Sequence, residues 1–267
     1  MTSPSRTLRV VFVGWGAISR AAAELLDPSV EIVAVALRSA VPTDELPSGA
    51  DVIRDPSALP YVNADVVVEA ASRESVAQWG LPALGAGMDF VVSSVSAFAD
   101  QELLAAMRDV ARKNGVRLEI HAGALGGVDA LAAARVLGID TVEHRIVKPP
   151  RAWGDTPAED LCDLGALTAA DAFFHGSASD AASAFPKNAN VAMTTALAGI
   201  GPANTRIVLV ADPEATTNRH EITASGAFGD LAITMSNKPL AANPKTSAMT
   251  ALNLVRAIQN RVGPLVI

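Results

Sequence analysis

Gly14 and Gly16 lie in the string Gly14-Trp15-Gly16-Ala17-Ile18-Ser19, directly after the apolar run Leu8-Arg9-Val10-Val11-Phe12-Val13. A strand that ends in so tight a turn lets the first amides of the following helix point at an anion, and glycine is required where a Cβ would block the approach. That chemistry is pyrophosphate binding, so Gly14, Gly16, Ala17 and Ile18 read as the cradle of a dinucleotide. Ser19 replaces the usual third glycine with another small residue. An acid at the end of the next apolar run would accept the ribose hydroxyls of NAD, but the run leads instead into Leu37-Arg38-Ser39. Arg38 can meet a 2′-phosphate, so either NAD or NADP is the expected cofactor.

The four histidines supply groups that titrate near neutral pH. His121 closes an apolar run beside Gly123, His144 sits between Glu143 and Arg145, and His175 follows Phe173-Phe174; position favours a structural part for each. His220, in Thr217-Asn218-Arg219-His220-Glu221, lies where polar residues converge before an apolar strand, and both a structural and a catalytic reading are open. Phe185-Pro186-Lys187-Asn188-Ala189-Asn190-Val191 places a cation and two carboxamides before an apolar helix. One asparagine can cap that helix; the second carboxamide, Asn190, can instead meet a nicotinamide or a substrate. Asn243-Pro244-Lys245-Thr246-Ser247 reads first as the start of a helix and second as an anion site. Cys162 has no neighbour that would activate it, and no metal centre is expected.

These residues need elements to hold them. Apolar runs at 8–13, 30–37, 64–70, 89–93 and 116–121 alternate with helical patterns at 17–26, 75–86 and 100–114. That rhythm is a doubly wound parallel sheet, the Rossmann arrangement of the α/β class. After residue 122 it changes to a helix at 128–137 and longer strands at 141–147, 206–211, 221–227 and 230–236, the last two flanking Phe228-Gly229 as a hairpin. The division expected is a dinucleotide-binding domain over 1–122, joined by a C-terminal helix within 243–267, and an α+β substrate and oligomerisation domain over 123–242. Residues 148–157 read as loop and 189–198 as helix.

Composition narrows the function classes. Half of the 267 residues are apolar and 18% are charged, which excludes a disordered chain. A net charge of −7 excludes the broad positive field of a non-specific nucleic-acid binder. No apolar stretch approaches the roughly twenty residues needed to cross a bilayer. A single cysteine and the lack of a signal-peptide pattern lead us to expect a cytoplasmic protein.

Taken together, Gly14-Trp15-Gly16-Ala17-Ile18, Gly123-Ala124-Leu125-Gly126-Gly127-Val128-Asp129-Ala130-Leu131, Lys148-Pro149-Pro150, the 185–191 string, Asp212-Pro213 with Asn218-Arg219-His220-Glu221, and the 243–247 string resemble L-aspartate dehydrogenase over nearly the whole chain. The resemblance implies NAD- or NADP-dependent oxidation of L-aspartate to iminoaspartate, which hydrolyses to oxaloacetate and ammonia or feeds NAD biosynthesis. The reverse, reductive amination of oxaloacetate, is the same chemistry. It implies a homodimer or higher homo-oligomer, a catalytic His220, and cofactor contacts at Ala124 and Asn190. For the two substrate carboxylates, Lys187, Asn188, Arg219 and Lys245 are the expected donors, Lys187 first. His121 stands where a small residue is expected. The competing readings are an oxidoreductase of the homoserine or dihydrodipicolinate type and a non-catalytic dinucleotide sensor.

Overall fold

Short β-branched runs build the first sheet. The computed structural model describes residues 7–39 and 42–267 and divides into two units, Met1–His121 with Thr250–Ile267, and Ala122–Met249. In the first unit β1 (Leu8–Val13), β2 (Val30–Ala36), β3 (Asp51–Ile53), β4 (Val66–Glu69), β5 (Asp89–Val92) and β6 (Leu118–Ile120) pair in parallel in the order β3-β2-β1-β4-β5-β6. Val10, Phe12, Val66, Val68 and Val91 are buried, and such continuous apolar strands belong to a sheet covered on both faces. The covering helices are α1 (Ala17–Ala23), α2 (Arg73–Gly85) and α3 (Gln101–Asn114). Asp100 caps α3 by accepting from the amides of Glu102 and Leu103, and Gly115 ends it in the left-handed region. From the end of the chain α7 (Ala248–Gln259) adds Leu254, Val255, Ala257 and Ile258 to the core around Leu8, Val10 and Phe12.

This is the doubly wound sheet expected. The chain moves outward from β1 to β3 and then returns to lay β4 on the other side of β1, and ligands of such sheets bind at the carboxyl ends of the strands where the order reverses. Gly14 follows β1 and Ala70 follows β4 at that point. β3 was not anticipated; three residues at a sheet edge leave too short an alternation to read.

The second unit is a mixed sheet of β7 (Ile139–Lys148), β8 (Asp171–Ser177), β9 (Arg206–Ala211), β10 (Asn218–Gly226) and β11 (Gly229–Asn237), ordered β11-β10-β7-β9-β8. β7 and β9 run parallel, whereas β10 is antiparallel to both β7 and β11. Its helices are α4 (Val128–Ala134), α5 (Ala178–Ala184) and α6 (Ala189–Ala198). α6 lays Ala192 and Ala196 against Ile146, Ile207 and Leu209, small residues that let helix and sheet approach closely.

Two features depart from the sequence expectation. β8 and α5 occupy a stretch given no element, since Phe173-Phe174-His175-Gly176 does not alternate and α5 is carried by small residues and a Ser177–Asp180 capping box. Residues 243–247, expected to enter the last helix, form strand β13 (Asn243–Ser247), paired with β12 (Pro239–Leu240). Asn243 precedes a proline and is therefore biased towards extended backbone, so the helix begins only at Ala248.

Candidate active site

At the first turn the structure shows why glycine is present. Gly14 has φ +89°, and a Cβ there would lie 2.6 Å from the Cβ of Ala71. Gly16 precedes α1 in extended backbone, and a Cβ there would meet nothing within 4 Å: the space in front of the helix is open. Ser19 is fully buried and its hydroxyl donates to the Gly14 carbonyl at 2.8 Å, tightening the turn that a third glycine would serve. A cleft of about 290 Å³ follows, lined by Gly14, Leu37, Arg38, Arg54, Ser72 and Glu74 among others. Arg38 is exposed there, and Arg54 lies 3.5 Å from the carbonyls of Leu37 and Arg38. The cleft thus has two cations at the end of β2, and Glu74 brings a carboxylate from α2.

Glu69 ends β4 and braces the segment after it. It is fully buried, and its carboxylate accepts from the amides of Ala71, Ser72 and Ser94 and from the Ser94 hydroxyl. Burial raises its pKa although every one of those bonds pulls the other way. Its partners include Ala71, the residue that forbids a side chain at Gly14. His121 is also buried, bonded through Nε2 to the Ser93 hydroxyl at 2.8 Å, and burial pushes it down to about 4.

In the second unit strand register assembles the titratable groups. His144, Ile146 and Lys148 alternate onto one face of β7, and His220 pairs with Ile146 across β10, so all four side chains share that face. His220 Nδ1 lies 3.1 Å from His144 Nε2, and His144 Nδ1 lies 2.9 Å from the hydroxyl of Thr195 on α6. All three are buried. Lys148 donates to the Asn188 carboxamide oxygen, and its ammonium sits 4.6 Å from the ring centre of Trp153. Burial lowers Lys148 to about 8. Burial first, and the charge of Lys148 second, push His220 down to about 3.

A loop covers the same face. Met235 pairs with His220 on β11, and Gly126 packs so closely on it that a Cβ would fall 2.7 Å from the sulfur. Gly127, at φ +68°, lies closer still to Ile233, where a Cβ would fall against its Cδ1. Buried Asn237 then donates to the Ala124 carbonyl at 2.7 Å, fixing the 123–127 loop.

The chain is similar to known proteins along nearly its whole length. Residues 129–261 match the family described as "Aspartate dehydrogenase, C-terminal", and residues 14–121 match "Homoserine dehydrogenase, NAD binding domain". An L-aspartate dehydrogenase of Brucella anthropi is 53% identical over 97% of this chain and 98% of its own. That of Pseudomonas aeruginosa is 43% identical over 95% and 97%. The chain belongs to the aspartate dehydrogenase family. The crystal structure of aspartate dehydrogenase from Thermotoga maritima superposes with a TM-score of 0.80 at 25% identity, covering 97% of this chain and 99% of that one. The first half thus matches a model described for homoserine dehydrogenases and the second half one described for aspartate dehydrogenase.

Of the residues singled out in the sequence, the structure gathers Gly14, Gly16, Ala17, Ile18 and Arg38 at the switch point of the first unit. It gathers His220, Asn188 and Ala124 around the β7–β10 face of the second. Asn190 is exposed in the first turn of α6, its carbonyl accepting from Thr194 at 2.9 Å. The side chains of Lys187 and Lys245 lie outside the described residues. Arg219 does not join the group. Alternation turns it to the face opposite His220, where it pairs with Glu221 at 2.7 Å and Asp212 at 3.6 Å. Among the described residues the cation on the His220 face is Lys148, which sequence reading placed only within a family string; two-residue spacing from His144 along one strand was the available signal.

Proposed function

We propose that the protein oxidises L-aspartate with NAD or NADP, and that His220 exchanges the proton of the substrate nitrogen. The observation that supports this most directly is one sheet face that brings the buried His220 imidazole together with the half-buried ammonium of Lys148 and carboxamide of Asn188. Lys148 is the described cation suited to a substrate carboxylate, with Asn188 as its orienting neighbour; Lys187 and Lys245 stay as proposed donors for the other. Gly14, Gly16, Ala17, Ile18 and Arg38 would hold the nucleotide, with Ala124 and Asn190 as further contacts. The open space before Gly16 fits a pyrophosphate.

When bound, the nicotinamide accepts hydride from the substrate Cα. The chain's own residues must do the rest. As the Cα–H electron pair departs, the nitrogen lone pair forms the C=N bond, one N–H bond breaks, and its proton goes to His220. Water then adds to the imine, releasing oxaloacetate and ammonia; in reductive amination His220 returns the proton. Before substrate binds, His220 is neutral and so able to accept a proton, but weakly basic, first because it is buried and second because Lys148 is charged beside it. A substrate carboxylate at Lys148 offsets that charge and raises the basicity of His220 when the base is required.

Within this proposal the protein is a cytoplasmic homodimer or larger assembly, formed through the second unit, whose iminoaspartate serves NAD biosynthesis. No helix of the described residues is long and apolar enough to cross a membrane. The test is absorbance at the reduced nicotinamide band with aspartate, homoserine or malate. We expect reduction of NAD and NADP with aspartate far above the other two. His220→Ala is expected to lose about 10²- to 10⁴-fold in kcat, the usual worth of positioned acid–base catalysis, with cofactor affinity kept. Equal rates with homoserine, or near-normal turnover by His220→Ala, overturn the reading; cofactor binding without any turnover favours a sensor.

A further inference from the structure

We infer that Thr195, His144 and His220 form a hydrogen-bonded series of fixed polarity, in which His220 Nδ1–H donates to His144 Nε2 and His144 Nδ1–H donates to Thr195. His220 Nε2 is thereby kept as the unprotonated ring atom. The inference rests on the proposal that His220 exchanges a proton with the substrate; His144 and Thr195 are positioning residues that touch neither substrate nor cofactor.

The two contacts, at 3.1 and 2.9 Å, fix the order of atoms but leave two ways of placing protons along it. In one, the Thr195 hydroxyl donates to His144 Nδ1, His144 donates from Nε2, and His220 must carry its proton on Nε2. That ring has its only other nitrogen engaged and can accept nothing. In the other, His220 donates from Nδ1 and Nε2 keeps its lone pair. Only the second serves both ends of the reaction. Once His220 has taken the substrate proton it is an imidazolium with N–H on both nitrogens. Its Nδ1–H then still needs an acceptor, which His144 Nε2 already is, so no proton along the series has to move. The first polarity would require His144 to reverse its tautomer inside a buried core at each turnover.

Thr195 becomes an acceptor in this scheme, and its own hydroxyl proton needs a partner. Threonines within helices donate to the carbonyl one turn back, as neighbouring Thr194 does to Asn190 at 2.9 Å. For Thr195 the recorded partner is His144 Nδ1, so this polarity requires its hydroxyl to turn its proton to the Val191 carbonyl one turn back. His144 is also suited to its part because it resists protonation. Burial holds its pKa well below the ordinary value, with the charge of His220 as the second cause.

The experiment is a long-range ¹H–¹⁵N spectrum of the histidine rings in the free protein, where only four histidines contribute. His220 is assigned by the resonance missing from His220→Ala. We expect His220 and His144 both as Nδ1–H tautomers. Thr195→Ser should keep them. Thr195→Val removes the acceptor, so His144 moves its proton to Nε2 and forces His220 to do likewise. Its kcat should fall about 100-fold, at the low end of acid–base effects, with the KM for cofactor unchanged. An Nε2–H tautomer of His220 in the unaltered protein overturns the inference, as does an unchanged tautomer in a folded Thr195→Val. A protein with the expected tautomers that oxidises no aspartate overturns the functional reading and leaves the polarity standing.

Discussion

At the glycine turn of the first unit the polar partners are backbone groups and exposed cations; on the β7–β10 face of the second they are side chains almost wholly removed from water. Gly14 acts through what it lacks, since φ +89° and the nearness of Ala71 leave no room for a Cβ. His220 and Lys148 act through what burial does to them, one pushed down to about 3 and the other to about 8. The first region can therefore be broken by adding atoms. The second is broken by removing charge or a hydrogen-bond partner, because low-dielectric surroundings make each buried polar group depend on its neighbours.

The comparison predicts its largest effect at Gly14. Gly14→Val places a β-branched side chain in the left-handed region and against Ala71, so the turn has to move. Nucleotide affinity, read by quenching of protein fluorescence, is expected to fall about 100-fold or more, equivalent to about 3 kcal/mol. The His220 tautomer should be unchanged. A variant that binds nucleotide normally would show that the turn is not the cradle.

A smaller, opposite pattern is expected from Lys148→Met. Loss of one charge-assisted contact to a carboxylate is worth about 1.5–3 kcal/mol, so the KM for aspartate should rise roughly 10- to 100-fold while nucleotide affinity holds. The pH dependence follows from the same group. Succinate has both carboxylates but no amine to titrate. Its binding should be strongest where Lys148 is charged and weaken as pH rises through about 8. The methionine variant should lack that inflection, and its His220 should become easier to protonate because the neighbouring charge is gone. An inflection that survives the substitution assigns it to another group.

The two regions were also unequally legible in the sequence. The glycine turn is a local constraint: strand, turn and helix are contiguous, so residues 8–26 carry nearly all its information. The β7–β10 face is built by register. Thr195 and His144 are 51 residues apart and His144 and His220 are 76 apart, and nothing in either segment says which residue of β7 faces which of β10. That is why His144 reads as merely structural and Lys148 carries no role until the strands are paired. Arg219 shows the converse hazard. It adjoins His220 in sequence, yet period-two alternation sends it to the opposite face, into ion pairs with Glu221 and Asp212. The short strands β3, β12 and β13 escaped notice because their few residues take their conformation from pairing rather than from pattern, and the longer β8 because its residues do not alternate.

The smallest effect concerns which nucleotide the first unit prefers. Arg38 is exposed at the end of β2 with Arg54 beside it, and Glu74 faces the same cleft. Two guanidinium groups favour a 2′-phosphate, whereas a carboxylate favours the bare ribose hydroxyl, so the cleft has donors for one cofactor and an acceptor for the other. Exposed charge interactions are weakened by water and salt, which limits either preference to about 1 kcal/mol. Arg38→Ala should accordingly raise the KM for NADP roughly 3- to 10-fold and leave that for NAD nearly unchanged. Adding salt should narrow the difference in the unaltered protein, because exposed pairs are screened within about 8–10 Å. If the variant lost NAD and NADP equally, Arg38 would be holding the shared pyrophosphate or the loop itself. The cleft would then resemble the buried face of the second unit, where each polar group depends on its neighbours.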